Sequence, residues 1–221
     1  MTTARSGYGP PPSGAGPGRS GPPLRVVQAA AEPDFVAAER AAFAFLTALG
    51  VDLDSESMAA TPRRMARAYA EMFTPRPFDL TTFPNDAGYD ELIIARSIPV
   101  QSVCEHHLLP FVGVAHVGYL PGGRILGLSK LARVAELFAR RPQVQERLTR
   151  QIANWLQENV SPRGVGVVVE AEHLCMSVRG VRAPDTSTIT SALHGQLRQD
   201  PASRAEFFAL VGTSRSAVRN G

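Results

Sequence analysis

The sequence is short of the features that mark secreted, membrane-bound or nucleic-acid-binding chains. Its two cysteines, Cys104 and Cys175, are too few for a disulfide framework. Each has a histidine close by, so both are expected as free thiols in a reducing compartment. No apolar run approaches the roughly 20 residues that a bilayer-spanning helix needs, and the N-terminus lacks the charged-then-apolar layout of a secretory signal. A soluble, cytoplasmic protein without a membrane partner is expected. Lysine is nearly missing, since Lys130 is the only one among 23 basic residues. A position that any cation could fill would read arginine in this chain, which makes Lys130 conspicuous. The arginines are scattered and no aromatic-basic cluster accompanies them, so a formal net charge of +3 does not imply a nucleic-acid partner.

What is present divides the chain in three. Residues 1–31, with the run Gly9-Pro10-Pro11-Pro12-Ser13-Gly14, offer too few apolar side chains to offset ordering entropy and are expected as a disordered Gly/Pro/Arg-rich arm. Residues 32–88 read as an N-terminal helical region. There Phe35, Ala38, Ala42, Phe45, Leu46 and Leu49 recur at helical spacing before Gly50, and Thr61-Pro62 reads as an N-cap and first helical position. Prolines, Asn85 and Asp86 then predict a loop up to Gly88.

Residues 89–221 carry the densest chemistry and are read as the catalytic domain. Glu91 to Ser102 is apolar and branched enough for a strand, and Phe111 to Leu120 alternates cleanly as a second. A helix follows with Ser129 as candidate N-cap and Leu131, Val134, Ala135 and Phe138 as its core stripe. A second helix is expected from Pro142 to about Asn159, burying Leu148, Ile152, Trp155 and Leu156 and leaving Glu146 off the stripe. Val165, Val167, Val169, Ala171, His173 and Cys175 share one face of a long strand. An extended stretch from Thr186 to Leu193 and a terminal helix from Ser203 to Val211 complete the pattern. The order β-β-α-α-β-β predicts an α+β fold, an antiparallel sheet with two helices on one side.

Ser102-Val103-Cys104-Glu105-His106-His107 packs a thiol, a carboxylate and two imidazoles into one short stretch, and Glu172-His173-Leu174-Cys175 adds a second thiol and imidazole. Soft sulfur and imidazole donors together suit a zinc-type ion. Cys104 and His107 are three apart, a spacing that converges in a turn and diverges on a straight strand. With Cys175 they supply three ligands, which leaves zinc a position for water and lowers that water's pKa towards about 7. His106 and His173 remain over. They either close a four-donor structural site or serve as proton donor and acceptor near neutral pH.

Three strings in order, SVCEHHLLPFVGVAHVGYLP, GLSKLARVAELFARRPQVQERLTRQI and EAEHLCMSVRGVR, resemble the GTP cyclohydrolase I family over nearly everything from Thr61 to Gly195. The resemblance implies the tunnelling fold (T-fold), in which sheets of several subunits join into a barrel, and a homodecamer of two stacked pentamers with active sites at subunit interfaces. It implies that GTP and water give 7,8-dihydroneopterin triphosphate and formate, the entry to folate and pterin biosynthesis. Carried onto this chain, Cys104, His107 and Cys175 are the Zn2+ ligands, His106 the acid/base histidine, and His173 a second catalytic group near the guanine imidazole ring. A histidine or Ser129 is expected as the proton shuttle for the ribose rearrangement. Glu146, which spacing alone puts on a solvated face, becomes the acceptor for guanine N1–H and the exocyclic amine, with Gln145 its neighbour in the base pocket. Lys130, Arg133 and Arg179 match basic residues for the triphosphate, and Arg64 matches an arginine contributed by another subunit. Ala183 and Asp185 depart from the residues many relatives carry there, which weakens a phosphate role for that loop and for Arg182.

Overall fold

A computed structural model describes residues 32–212; the expected arm at 1–31 lies outside the described residues. Two helices come first, α1 (Phe35–Ala48) and α2 (Thr61–Phe73). Asp34 caps α1 by accepting from the Ala37 amide at 2.9 Å. The α2 cap is Ala60 rather than Thr61, whose hydroxyl turns instead to the Met58 sulfur at 3.7 Å. Only Ala42 of α1 is buried, while Val36, Phe43, Phe45 and Leu49 stay exposed. The apolar spacing of this helix is therefore real but its face is largely uncovered. A groove of about 470 Å³ between α1 and α2 is lined by Ala38, Ala42, Phe45, Met65, Tyr69 and Phe73. Among the described residues, no helix is long and apolar enough to cross a membrane.

The remaining elements are β1 (Thr82–Pro84), β2 (Ile93–Cys104), β3 (Pro110–Leu120), β4 (Arg124–Leu126), α3 (Leu128–Ala139), β5 (Pro142–Gln143) and α4 (Gln145–Val160). They are followed by β6 (Gly164–His173), α5 (Leu174–Ser177), β7 (Ser187–Gly195), α6 (Gln196–Gln199) and α7 (Pro201–Gly212). The main sheet runs β5-β2-β3-β6-β7, with β2, β3, β6 and β7 antiparallel neighbours. The chain is thus mixed helix and sheet, but the unbroken ββααββ succession expected from the sequence is interrupted by β4, β5 and α5. Nor is the sheet wholly antiparallel, because β5 pairs in parallel with Val103 and Cys104. Pro142 opens this short strand and not a helix. In the stretch expected as loop, β1 pairs with β4. These strands of two or three residues are too short for periodicity to register.

Helices α3 and α4 pack on one sheet face, where Phe111, Val117, Tyr119, Leu131, Leu148, Ile152, Val165 and Val167 are buried together. Gly127, not Ser129, caps α3, with the Lys130 amide returning to the Gly127 carbonyl at 2.8 Å. Strand β6 stops at His173, so Cys175 does not share the strand face but sits in the single turn α5. The ladder explains the stop. His173 pairs with Phe111, and the next partner, Pro110, has no N–H to continue the pairing.

The other face has a smaller cluster of Leu120, Val168, Leu197 and Phe207. Gly118 and Gly166 are register partners, and a Cβ at Gly166 would lie 2.7 Å from the Phe207 ring. The paired glycines form the seat on which α7 is fixed. We expect Phe207→Ala to empty this seat and cost about 3–5 kcal/mol, read as a lower urea midpoint at unchanged slope.

Candidate active site

The site is built where β2 ends. Beyond Cys104 the chain folds back on itself: the Leu108 amide donates to the Cys104 carbonyl at 2.8 Å, and the Cys104 amide to the Leu109 carbonyl at 2.8 Å. Leu108 takes a positive φ of 53°, the left-handed conformation that closes the turn. Three contacts fix this turn from outside. The Tyr69 hydroxyl of α2 donates to the Leu108 carbonyl at 3.1 Å. The Glu105 amide donates to the Gln143 carbonyl at 3.0 Å. The Glu105 carboxylate pairs with Arg147, which also donates to the Gln143 side chain at 2.8 Å. The Arg147 hydrogen bond holds the Glu105 carboxyl below its ordinary range. Glu105 therefore supports the turn.

Cys104, His107 and Cys175 come together, with one donor atom from each within 4.8 Å of the others. Both cysteines are free and buried, while His107 is exposed. Cys104 Sγ lies 3.8 Å from His107 Nδ1 and 3.9 Å from His106 Nδ1. Burial, and next to it the Cys104 thiol, pushes the Cys175 thiol up. Two buried sulfurs facing each other resist ionising together unless a cation lies between them. A pair of thiols with one imidazole is also the donor set that a soft or borderline ion prefers. The residues fit a metal ion on both counts. His106 stays outside the trio, exposed, with Nε2 3.9 Å from the Glu105 carboxylate.

His173 is the last residue of β6. Its ring stacks on Phe111 with centroids 4.6 Å apart at 13°. This follows from the register that sets the two residues opposite each other. Its Nε2 is 2.8 Å from Gln145 Oε1. Burial pushes the His173 pKa down, more than the nearby Glu146 carboxylate pushes it up. Gln145 and Glu146 begin α4, so the Glu146 carboxylate also sits at the favourable end of the helix dipole. Glu146 is exposed, and its side chain makes no hydrogen bond or ion pair among the described residues. Gln145 is buried, its amide wholly engaged by protein partners.

The expected phosphate-binding residues engage separate partners. Arg179 follows α5, close enough to Cys175 that its charge acts on the thiol. Lys130 Nζ lies over the Phe78 ring at 5.9 Å. Arg133 bonds to Glu136 at 3.3 Å, and Ser129 is exposed in the first turn of α3. Among the described residues, Arg64 reaches only the Ser57 carbonyl, at 3.3 Å. None of Lys130, Arg133 and Arg64 bonds to the Cys/His group within the chain. Sequence reasoning missed Tyr69, Phe111 and Arg147 as supports of the site. Phe111 could have been found, since it shares its strand face with the core and faces His173 once β3 and β6 are paired.

A protein-family model described as GTP cyclohydrolase I matches residues 38–212. The GTP cyclohydrolase 1 of Streptomyces avermitilis is 56% identical over 179 residues, 79% of this chain and 89% of that protein. That of Mycobacteroides abscessus is 55% identical over 183 residues, 80% of this chain and 90% of that protein. Among solved structures, the archaeosine synthase QueF-Like in its apo form aligns with a TM-score of 0.38 and 19% identity, over 47% of this chain and 93% of that one.

Glu136 gathers three guanidiniums, Arg76 at 2.6 Å, Arg140 at 3.2 Å and Arg133 at 3.3 Å. Burial pushes its carboxyl up, but the arginines outweigh burial and hold it below the ordinary value. A depressed folded pKa contributes stability above the unfolded value, and that stability is lost as pH falls through the folded one. We expect Glu136→Gln to lose about 1–2 kcal/mol near neutral pH. Denaturation at a series of pH values should show the gap from the parent protein closing as pH falls below the ordinary carboxylate range.

Proposed function

The chain belongs to the GTP cyclohydrolase I family and is an enzyme of that activity, the first step of pterin and folate biosynthesis, and on that premise we propose how its own residues divide the work. The Cys104, His107 and Cys175 trio supports a bound zinc ion, on donor chemistry and on the mutual approach of the three side chains. Zinc there supplies a Lewis acid and a water made nucleophilic at neutral pH.

Glu146 accepts hydrogen bonds from guanine N1–H and the exocyclic amine. Its exposed carboxylate, unused by other side chains at the start of α4, supports that role, and adenine lacks the matching donors. His173 faces the imidazole side of the base and exchanges a proton there, an assignment supported by its stacking on Phe111 and its neighbour Glu146. His106, exposed beside Cys104 but outside the trio, moves the proton that water must shed and that the opening ring must gain. Ser129 assists the later ribose rearrangement.

Lys130, Arg133, Arg179 and Arg64 bind the triphosphate as point charges and forks. Their engagement with separate partners within one chain supports a site completed between copies, and the bare apolar face of α1 supports assembly. We infer a homo-oligomer of the tunnelling fold, a decamer of two pentamers, acting in the cytoplasm without nucleic acid or membrane. The observation that carries the reading is the convergence of Cys104, His107 and Cys175, with His106 beside Cys104 and outside the trio.

Zinc-loaded protein given GTP should release formate and yield a fluorescent pterin on oxidation. No formate from an assembled, metal-replete sample would overturn the reading. In Cys175→Ser, bound zinc measured by mass spectrometry should fall at least about tenfold at a zinc concentration that saturates the parent protein. We further expect Glu146→Ala to keep its zinc while its KM for GTP rises roughly tenfold or more. An unchanged KM would overturn the guanine contact.

A further inference from the structure

Gln145 has the most constrained side chain of the site. It is 1% exposed and sits between α4 and the β6–β7 pair. Its Nε2 lies 2.8 Å from the Thr188 carbonyl, 3.0 Å from the Val169 carbonyl and 3.2 Å from Thr190 Oγ1. Carbonyl oxygens only accept, so the NH2 end of the amide must face them. That leaves Oε1 toward His173, 2.8 Å from its Nε2. An amide oxygen also only accepts, so the imidazole must present a hydrogen on Nε2. Flipping the amide would set its oxygen against two carbonyl oxygens and its NH2 against the imidazole.

The hydroxyls close the chain of donors. Thr149 Oγ1 donates to the Gln145 carbonyl at 2.8 Å. With its hydrogen committed there, Thr149 can only accept from Thr190, 2.6 Å away. Thr190 therefore donates to Thr149, and its oxygen is free to receive from the Gln145 amide. The hydroxyl hydrogens of Thr149 and Thr190 each have one direction available, and the two hydrogens of the Gln145 amide face three acceptors.

We propose that Gln145 is a positioning residue that holds His173 with a hydrogen on Nε2, so that Nδ1 is the atom through which the ring exchanges a proton with substrate. Phe111 fixes the plane of the ring and Gln145 fixes its rotation within that plane. In this arrangement the Gln145 side chain acts on the reaction through His173, and guanine selection is left to Glu146. The inference rests on the assignment of His173 as a group acting on the base.

Three variants test it in the zinc-loaded, assembled enzyme with GTP: Gln145→Met, Gln145→Glu and His173→Ala. The methionine is apolar and of similar length, so it removes both the donor and the acceptor. We expect its kcat to fall about 10–100-fold while KM stays within about threefold. Gln145→Glu keeps an oxygen for His173 Nε2–H and, with its other oxygen protonated toward the Thr188 carbonyl, should recover part of that loss. A KM rise with kcat unchanged would assign the side chain to the base and overturn the proposal. Unchanged kcat and KM would overturn it as well. If Gln145→Met does not assemble, Gln145→Glu decides on the same split, with a lowered kcat at steady KM expected. A crystal structure of the soluble variant gives a second readout. In Gln145→Met the His173 ring should rotate or leave its stack on Phe111, and a ring retained in place would count against positioning. His173→Ala separates the two failures. Full activity in that variant would remove the assignment of His173 itself, whereas a loss there with none in the Gln145 variants would remove only the positioning role.

Discussion

The pairing of β3 with β6 is the constraint on which the rest of the molecule depends. It runs without a slip from Leu120 opposite Gly164 to Phe111 opposite His173. A shift of one residue would turn Phe111, Val117 and Tyr119 out of the core and carry His173 away from its stacking partner. The two strands approach so closely at Gly113 that a Cβ there would lie 2.0 Å from the Glu170 carbonyl oxygen. The same register gives α7 its glycine seat on the opposite face. One alignment of strands thus fixes the core, the terminal helix and one wall of the site.

The chemistry gathers where that alignment runs out. Both metal-competent thiols lie at strand ends, Cys104 as the last residue of β2 before a turn and Cys175 inside α5 just past β6, where the backbone bends donors toward one another. Rigid neighbours compensate for the freedom of these loops. Arg147 and Gln143 secure the turn from the α4 side, and Tyr69 secures it from α2. Helix α2 therefore touches the site physically although it contributes no ligand to the trio. Charge is arranged with the same economy. Glu136 draws Arg76, Arg133 and Arg140 together, while Glu146 and Arg179 have side chains free of hydrogen bonds and ion pairs among the described residues.

Much of this was legible in the sequence because it depends on local pattern. The alternation from Phe111 to Leu120 and the stripe Leu131, Val134, Ala135 report which face is buried, and burial is what the pattern encodes. Cys104, His107 and Cys175 stood out because soft donors are rare in this chain. What escaped was set by partners distant in sequence. Strand β5 exists only because Pro142 and Gln143 meet the end of β2. Cys175 left its strand because Pro110, on another element, could not continue the ladder. Gln145 carries no local signal, since its partners Val169, Thr188 and His173 converge only after the sheet has formed. Ser129 has the composition of a cap, yet the turn made by β4 hands that position to Gly127.

The separation of the cluster's members along the chain also sets an order of events during folding. Cys104 and His107 are neighbours and can meet in an unfolded chain at small entropic cost. Cys175 lies about 70 residues further on, and closing so long a loop is unfavourable until other contacts have already brought its ends together. Those contacts are the local hairpin of β2 with β3 and the non-local pairing of β3 with β6, of which the second is the slow kind. The trio therefore matures late, after the sheet, and a nascent chain presents an ion with two donors long before it presents three. Tight capture becomes a property of the finished protein, and the sheet acts as the proofreading step that an incomplete or misregistered chain fails.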